Sequence, residues 1–245
     1  MFEALLGSGV YRANFPTIPD NGPGPTTLIR YDETYKAGLF GDLDNSEFVT
    51  PEQIEALSNV TLSGVAANRG TARLWAKYLF NEKVIYVPKR VLRTGMSWNN
   101  LYAAGFVYGL DGPGKYPSIP DGPVNQLKEI TMVAQDGSTC KFRIRLISVS
   151  TIDPNNTLST DPTIQNSEWS KLIERTWSTN GIDAKWATYG APGSSVIGIE
   201  SRPTYTEYAI VAAGNSNAYF RSYIQKVGTS GAWLPVLELV EVIRP

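Results

Sequence analysis

The sequence contains no histidine and a single cysteine among its 245 residues. Histidine is the usual general base of hydrolases, the usual activator of serine and cysteine nucleophiles, and the commonest metal ligand. Its absence removes most hydrolytic mechanisms and leaves chemistry based on carboxylates, lysine or tyrosine, or no chemistry at all. Cys140 cannot form a disulfide within the chain, and its place in the stretch STCKFRIRLIS predicts a buried thiol on a strand.

The chain also lacks an excess of one charge and a long apolar run. Its 22 basic residues face 23 acidic ones, and no basic stripe of the kind that binds nucleic acid is visible. No stretch of about 18 apolar residues is present, and the opening MFEALLGSG lacks the features of a secretory signal. The glycine-rich loops lack the lysine and the strand-to-helix setting of nucleotide sites. We therefore expect no nucleic-acid partner, no membrane insertion, no metal and no cofactor.

What the chain has in quantity is glycine, proline and aromatic residues, which favour short strands joined by many turns. The dense run NFPTIPDNGPGP cannot continue a helix or a central strand. We expect residues 1–70 to form an extended arm with one short helix near residues 51–58. Thr50 is predicted as the N-cap of this helix and Pro51 as its first residue.

Residues 71–245 combine hairpin and helix signals. LWAKYLFNEKVIYVP predicts a hairpin that turns at residues 81–82, and a second hairpin is predicted around Asp136-Gly137. Short helices are predicted after the N-caps Ser97 and Ser167. The closing WLPVLELV is typical of a strand buried on both faces.

The order of the stretches SWNNLYAAGFVYG, SEWSKLI and GAWLPVLELV resembles a group of bacteriophage virion proteins. The resemblance covers roughly residues 75–245. It implies a C-type-lectin-like domain of the formylglycine-generating-enzyme type over residues 71–245, with small antiparallel sheets and two or three short helices, so that the expected fold class is α+β. It also implies that the last strand, at 234–240, pairs near residues 84–87 or 141–147. The oxidase members of that family use cysteine pairs or copper-binding cysteines, which the single Cys140 does not supply, and the tripeptides of calcium-dependent sugar binding are missing.

The expected function is a non-enzymatic structural component of a phage particle, made in the bacterial host cytoplasm and located on the virion as a head, neck or tail appendage. Other virion proteins and copies of the chain itself are the expected partners, with the arm as the anchor. The apolar anchor candidates are Phe15, Ile18, Leu28 and Tyr31. Loop aromatics can stack on sugar rings, so a host-surface glycan is a further candidate partner. Its contact candidates are Trp186, Tyr189, Tyr205, Tyr208, Tyr219 and Tyr223.

The alternative is a carbohydrate-active hydrolase that uses paired carboxylates. Glycosidases hold two acids roughly 5 to 10 Å apart across the scissile bond, and Glu168 and Glu174 with Asp153 or Asp161 are the candidates. Each of these residues also has a structural explanation. A glutamate after an N-cap favours the positive end of a helix, and an aspartate before proline favours a turn.

Overall fold

The computed structural model describes residues 15–18, 20–67, 74–115, 122–152, 166–174, 195–201, 208–213 and 221–245. In chain order its strands are β1 (Arg30–Asp32), β2 (Ala37–Asp44), β3 (Val65–Ala66), β4 (Leu74–Phe80), β5 (Lys83–Pro88), β6 (Arg93–Met96), β7 (Glu129–Val133), β8 (Thr139–Leu146), β9 (Ser195–Ser201), β10 (Tyr208–Ala213), β11 (Arg221–Gln225), β12 (Gly231–Trp233) and β13 (Pro235–Ile243). Its helices are α1 (Pro51–Glu55), α2 (Trp98–Ala103), a 3-10 turn (Asn45–Glu47) and a π-helical turn (Trp169–Glu174).

Within the described residues the strands form two sheets. The larger sheet has seven strands in the order β1-β2-β4-β5-β13-β8-β7, and the smaller has six in the order β11-β10-β9-β12-β6-β3. All neighbours in the larger sheet are antiparallel, whereas β9 and β12 of the smaller sheet run parallel. The chain passes from the smaller sheet to the larger between β12 and β13, through the buried Leu234.

The last strand lies inside the larger sheet rather than at its edge. Leu237 of β13 is opposite Tyr86 of β5 on one side and Ile144 of β8 on the other, which confirms the expected pairing of the closing strand. Burial on both faces holds for residues 235–238 only, because the register shifts between Leu239 and Glu241 and the following part of the strand is more exposed.

The local signals for turns and caps are confirmed. The β4–β5 hairpin turns at Asn81 and Glu82, which both have positive φ, as a type I′ turn requires. The second hairpin joins β7 and β8 around Gly137. Thr50 and Gln53 form a capping box at the start of α1, and the Ser97 side chain accepts from the Asn100 amide at the start of α2.

The prediction of an α+β fold with small sheets is wrong, because the described residues are mostly β. The helix signals produce only short elements of 5 and 6 residues in α1 and α2, and the segment after Ser167 forms a π-helical turn. Three strands come from residues that were expected to form an extended arm, namely β1, β2 and β3. Strand β2 pairs with β4 along its whole length, so the larger sheet includes strands from both sides of residue 70.

Each face of the larger sheet packs against a separate apolar cluster. The first cluster contains Trp75, Tyr86 and Phe142 from the sheet and the residues around α2. The second contains Tyr78 and Ile85 from the opposite face, with the π-helical turn packed against them. Because strands β4 and β5 are buried on both faces, they form the centre of the molecule. None of the described helices is long and apolar enough to cross a membrane.

Candidate ligand groove beside the N-terminal segment

A buried lysine of β4 holds the segment that precedes β1. The Lys77 side chain is fully buried and donates to the Asn21 side-chain oxygen at 2.8 Å, the Gly22 carbonyl at 3.1 Å and the Pro25 carbonyl at 2.8 Å. An ammonium group has three donors, and here each has an acceptor from the same short loop. Lys77 therefore fixes residues 21–25, which we call the proline-glycine loop, against the sheet.

Some features around this ammonium group favour its charged form, and burial disfavours it. Burial lowers the pKa of Lys77 to about 7, because a charged group loses its hydration inside the protein. The three acceptors favour the charged form, as do the rings of Phe40 and Tyr86, whose centroids lie 4.9 and 5.7 Å from the nitrogen. The loop thus depends on a lysine that titrates near neutral pH.

Tyr86 of β5 supports the same loop. Its buried hydroxyl donates to the Pro23 carbonyl at 2.9 Å and lies 3.2 Å from the Asn21 carbonyl. Burial raises the pKa of Tyr86 well above its ordinary value, so the hydroxyl remains a donor. Gly22 has a positive φ, and a Cβ there would lie 2.8 Å from the Tyr86 hydroxyl oxygen. Glycine is therefore required at this position both for conformation and for space.

On its other side the proline-glycine loop forms one wall of a groove of about 780 Å³. The groove is also lined by Ala134, Gln135, Asp136 and Ser138 around the β7–β8 turn, by Val242 of β13 and by Arg244, which follows β13. Polar side chains dominate the lining, among them Asp20, Asp42, Glu47, Asp136, Ser138 and Arg244. The groove thus joins the N-terminal segment to the C-terminal strand.

The charged side chains in the groove take part in hydrogen bonds and ion pairs. Arg244 donates through Nε to the Asp20 carboxylate at 2.7 Å and lies 3.9 Å from Asp136. The Ser138 hydroxyl and amide lower the pKa of Asp136, so its carboxylate is ionised at neutral pH and accepts hydrogen bonds. This arrangement suits the binding of a polar ligand, because carboxylates and a guanidinium offer acceptors and donors side by side.

The four expected anchor residues lie against their own chain. Leu28 is buried in the first apolar cluster, and Phe15, Ile18 and Tyr31 pack half-buried on it. The rings of Phe15 and Tyr31 meet edge to face, with centroids 6.5 Å apart. These contacts are within one chain, and the use of the same residues by another subunit stays a prediction.

Most of the expected glycan contacts fall outside the part of the chain that the structure describes, namely Trp186, Tyr189, Tyr205 and Tyr219. The backbone positions of Tyr208 and Tyr223 lie on the adjacent strands β10 and β11, and their side chains are outside the described set. The stacking site stays a prediction.

The carboxylate pair of the hydrolase alternative contains one residue with a clear structural role. Both oxygens of the buried Glu168 side chain accept from Arg145, each at 2.7 Å, and one also accepts from the Ser148 amide. Arg145 reaches Glu238 of β13 at 3.2 Å as well. Burial acts to lower the pKa of Arg145, but Glu168 and Glu238 raise it overall. Glu168 therefore ties the π-helical turn to the sheet. Asp153, Asp161 and the side chain of Glu174 lie outside the described residues.

Lys77 and its contacts with the proline-glycine loop were not predicted from the sequence. The alternation in LWAKYLF places Lys77 on the same face as Trp75 and Leu79, and this face is the one buried in the first cluster. The sequence signal for a buried lysine was therefore that the residues two positions before and two positions after Lys77 are both apolar. Its acceptors lie 52 to 56 positions earlier, and no local pattern connects the two segments.

Comparison with protein-family models, curated proteins and solved structures found no match. Among the described residues, no group of three or more cysteine, aspartate or glutamate side chains is arranged to hold a metal ion.

Proposed function

We propose that the protein is a non-enzymatic structural component of a bacteriophage particle. It is made in the cytoplasm of the bacterial host and assembles with other virion proteins and with copies of itself. Its two-sheet domain is displayed on the particle. The N-terminal segment, held on the sheet by Lys77, forms part of the surface that contacts the neighbouring virion protein.

The observation that carries this proposal is the position of the stretches that resemble phage virion proteins. Phe106, in SWNNLYAAGFVYG, stacks on Trp233, in GAWLPVLELV, with ring centroids 5.1 Å apart. Trp169, in SEWSKLI, is buried in the same cluster as Leu234. These residues belong to the two apolar clusters, so the stretches on which the expected resemblance rests lie in the core, although the fold class that the resemblance implied is not the one observed.

The hydrogen bonds of the buried Lys77 and Arg145 side chains also support a structural role. Lys77 ties the proline-glycine loop to β4, and Arg145 ties the π-helical turn to β8 and β13. Fully satisfied buried polar networks hold one arrangement of the chain in preference to others. A component that keeps its shape while it meets several neighbours needs this property.

The groove is the site at which we expect a host-surface glycan. Its carboxylates and hydroxyls accept and donate hydrogen bonds in the way that sugar hydroxyls require. Purified protein should bind host cells, and Arg244→Ala should weaken this binding, whereas Arg90→Ala, at an exposed position away from the groove lining, should not. Equal binding by both variants would remove the groove from the proposal.

A stop codon in the gene tests the proposal that the protein is a component of the phage particle. Phage grown without the protein should lack one component in electron micrographs, and supply of the protein from a plasmid should restore it. Particles of normal appearance and normal infectivity in the absence of the protein would overturn the assignment.

A further inference from the structure

Strand β7 is an edge of the larger sheet and pairs with β8 on one side. The bonds from the Ala134 amide to Ser138 and from the Ile144 amide to Lys128 show that the even-numbered residues of this segment bond to β8. In an antiparallel pair the alternate residues direct their N–H and C=O groups the other way. The backbone groups of Glu129, Thr131 and Val133 therefore point out of the sheet, away from β8.

This edge has few of the features that usually block strand addition, because Glu129 is the one charged residue of β7. Proteins protect sheet edges with proline, bulges, lysines or very short strands. Strand β7 has the sequence EITMV, pairs without a register shift over five residues, and leaves Val133 68% exposed. The opposite edge, β1, has three residues, two of them charged, RYD. Of the two edges of the larger sheet, β7 is therefore the one better suited to pair with another strand.

We propose that two copies of the chain pair through their β7 strands, antiparallel and centred on Thr131, so that the two larger sheets join into one. A two-fold axis at an outward-pointing residue brings the free backbone groups of both strands into register. This contact deepens the proposed function, since it specifies how copies of the chain meet, but it forms in purified protein and does not require the particle.

The side chains of β7 are complementary to themselves in this register. On the core face, Ile130 lies opposite the partner's Met132, and both residues are half-buried at the margin of the first apolar cluster. The second copy would cover them. On the other face Thr131 lies opposite the partner's Thr131, a pair that stabilises antiparallel strands.

The charges are compatible with the same register. Glu129 lies opposite the partner's Val133, so the two Glu129 side chains are about 14 Å apart, four residues along a strand. Each is also neutralised within its own chain by Lys141 of β8, at 2.6 Å. No like charges face each other across the axis.

The register is tested by cysteine cross-linking. Across a hydrogen-bonded antiparallel pair, opposite Cα atoms are about 5.5 Å apart, which a disulfide can span. Thr131→Cys should therefore give a disulfide-linked dimer on mild oxidation. Val133→Cys is the matched control, because its two copies would be about 14 Å apart and should stay unlinked. The native Cys140 is buried and does not compete.

The energetics are tested by adding charge at the same two positions. Thr131→Lys places two like charges opposite each other, and the dimer dissociation constant from analytical ultracentrifugation should rise about ten-fold or more. Val133→Lys places its charge opposite the partner's Glu129 and should leave the constant unchanged or lower it. Both side chains are exposed, so both variants should keep the thermal transition of the unmodified protein.

The outcomes separate the two proposals. The β7 contact would be overturned if the chain were monomeric at about 100 µM. It would also be overturned if Val133→Cys gave as much disulfide-linked dimer as Thr131→Cys, or if Thr131→Lys and Val133→Lys raised the dimer dissociation constant equally. A dimer that behaves as expected, in a protein that is missing from phage particles, would leave the β7 contact standing and overturn the particle assignment.

Discussion

Replacement of Lys77 by methionine tests the way in which the proline-glycine loop is held. Methionine fills a similar volume but donates no hydrogen bond, so the three acceptors of the loop lose their partner. The carbonyls of Gly22 and Pro25 are fixed by the backbone, and the Asn21 side chain is held by its own donations to the Ile18 and Thr26 carbonyls. A buried polar group without a partner costs about 1–3 kcal/mol, and two such carbonyls give an expected loss of about 3 kcal/mol in the free energy of unfolding.

Urea unfolding at pH 9, where the lowered pKa of Lys77 costs less stability than at pH 7, followed by tryptophan fluorescence, measures this loss. In a chain of this length it corresponds to a decrease of about 6–12 °C in Tm. Lys83→Met on the neighbouring strand is the control, because Lys83 is 59% exposed in its ion pair with Glu238 and exposed pairs contribute about 1 kcal/mol or less. If Lys77→Met lay within about 1 kcal/mol of the unmodified protein, the loop would not depend on the lysine and the reasoning would be refuted.

Three further predictions concern pH, charge and length. Because burial lowers the pKa of Lys77 from 10.5 to about 7, the unfolded chain binds more protons than the folded one between these values. The stability that Lys77 contributes should therefore rise by about 2 kcal/mol from pH 7 to pH 9 relative to Lys77→Met; a constant difference would contradict this. Glu168→Gln should lower the free energy of unfolding by about 3 kcal/mol, because the buried Arg145 loses one of its two charged partners and keeps only Glu238, whereas loss of polysaccharide turnover at unchanged stability would support the hydrolase instead. Deletion of residues 1–45 removes β1 and β2 and should abolish the cooperative thermal transition; an unchanged transition would show that this segment is a separate arm.

The parts of the fold that sequence reasoning predicted are set by neighbouring residues. A capping box at Thr50 and a hairpin turn at Asn81 and Glu82 each need only a few adjacent side chains, so a short window contains the whole signal. The closing strand was placed correctly because its apolar run required burial. Its neighbours, however, came from a resemblance rather than from the pattern itself.

The parts that were missed depend on contacts between distant segments. Nothing in the run of glycines and prolines before residue 30 indicates that the following strands, β1 and β2, extend the sheet next to β4, because such pairing is decided by tertiary packing. The same holds for the Arg145–Glu168 pair, 23 residues apart, and for Lys77 with its loop. Each charge is stabilised by a partner that a local window does not contain.

Quantitative mass spectrometry of purified particles tests the central claim most directly. Particles that have been separated from soluble protein on a density gradient should contain this chain in a fixed ratio to the major capsid protein, constant between preparations and across the particle peak. The chain's presence only in the soluble fractions, or a ratio that falls steadily with each round of purification, would contradict the claim that it is a structural component of the particle.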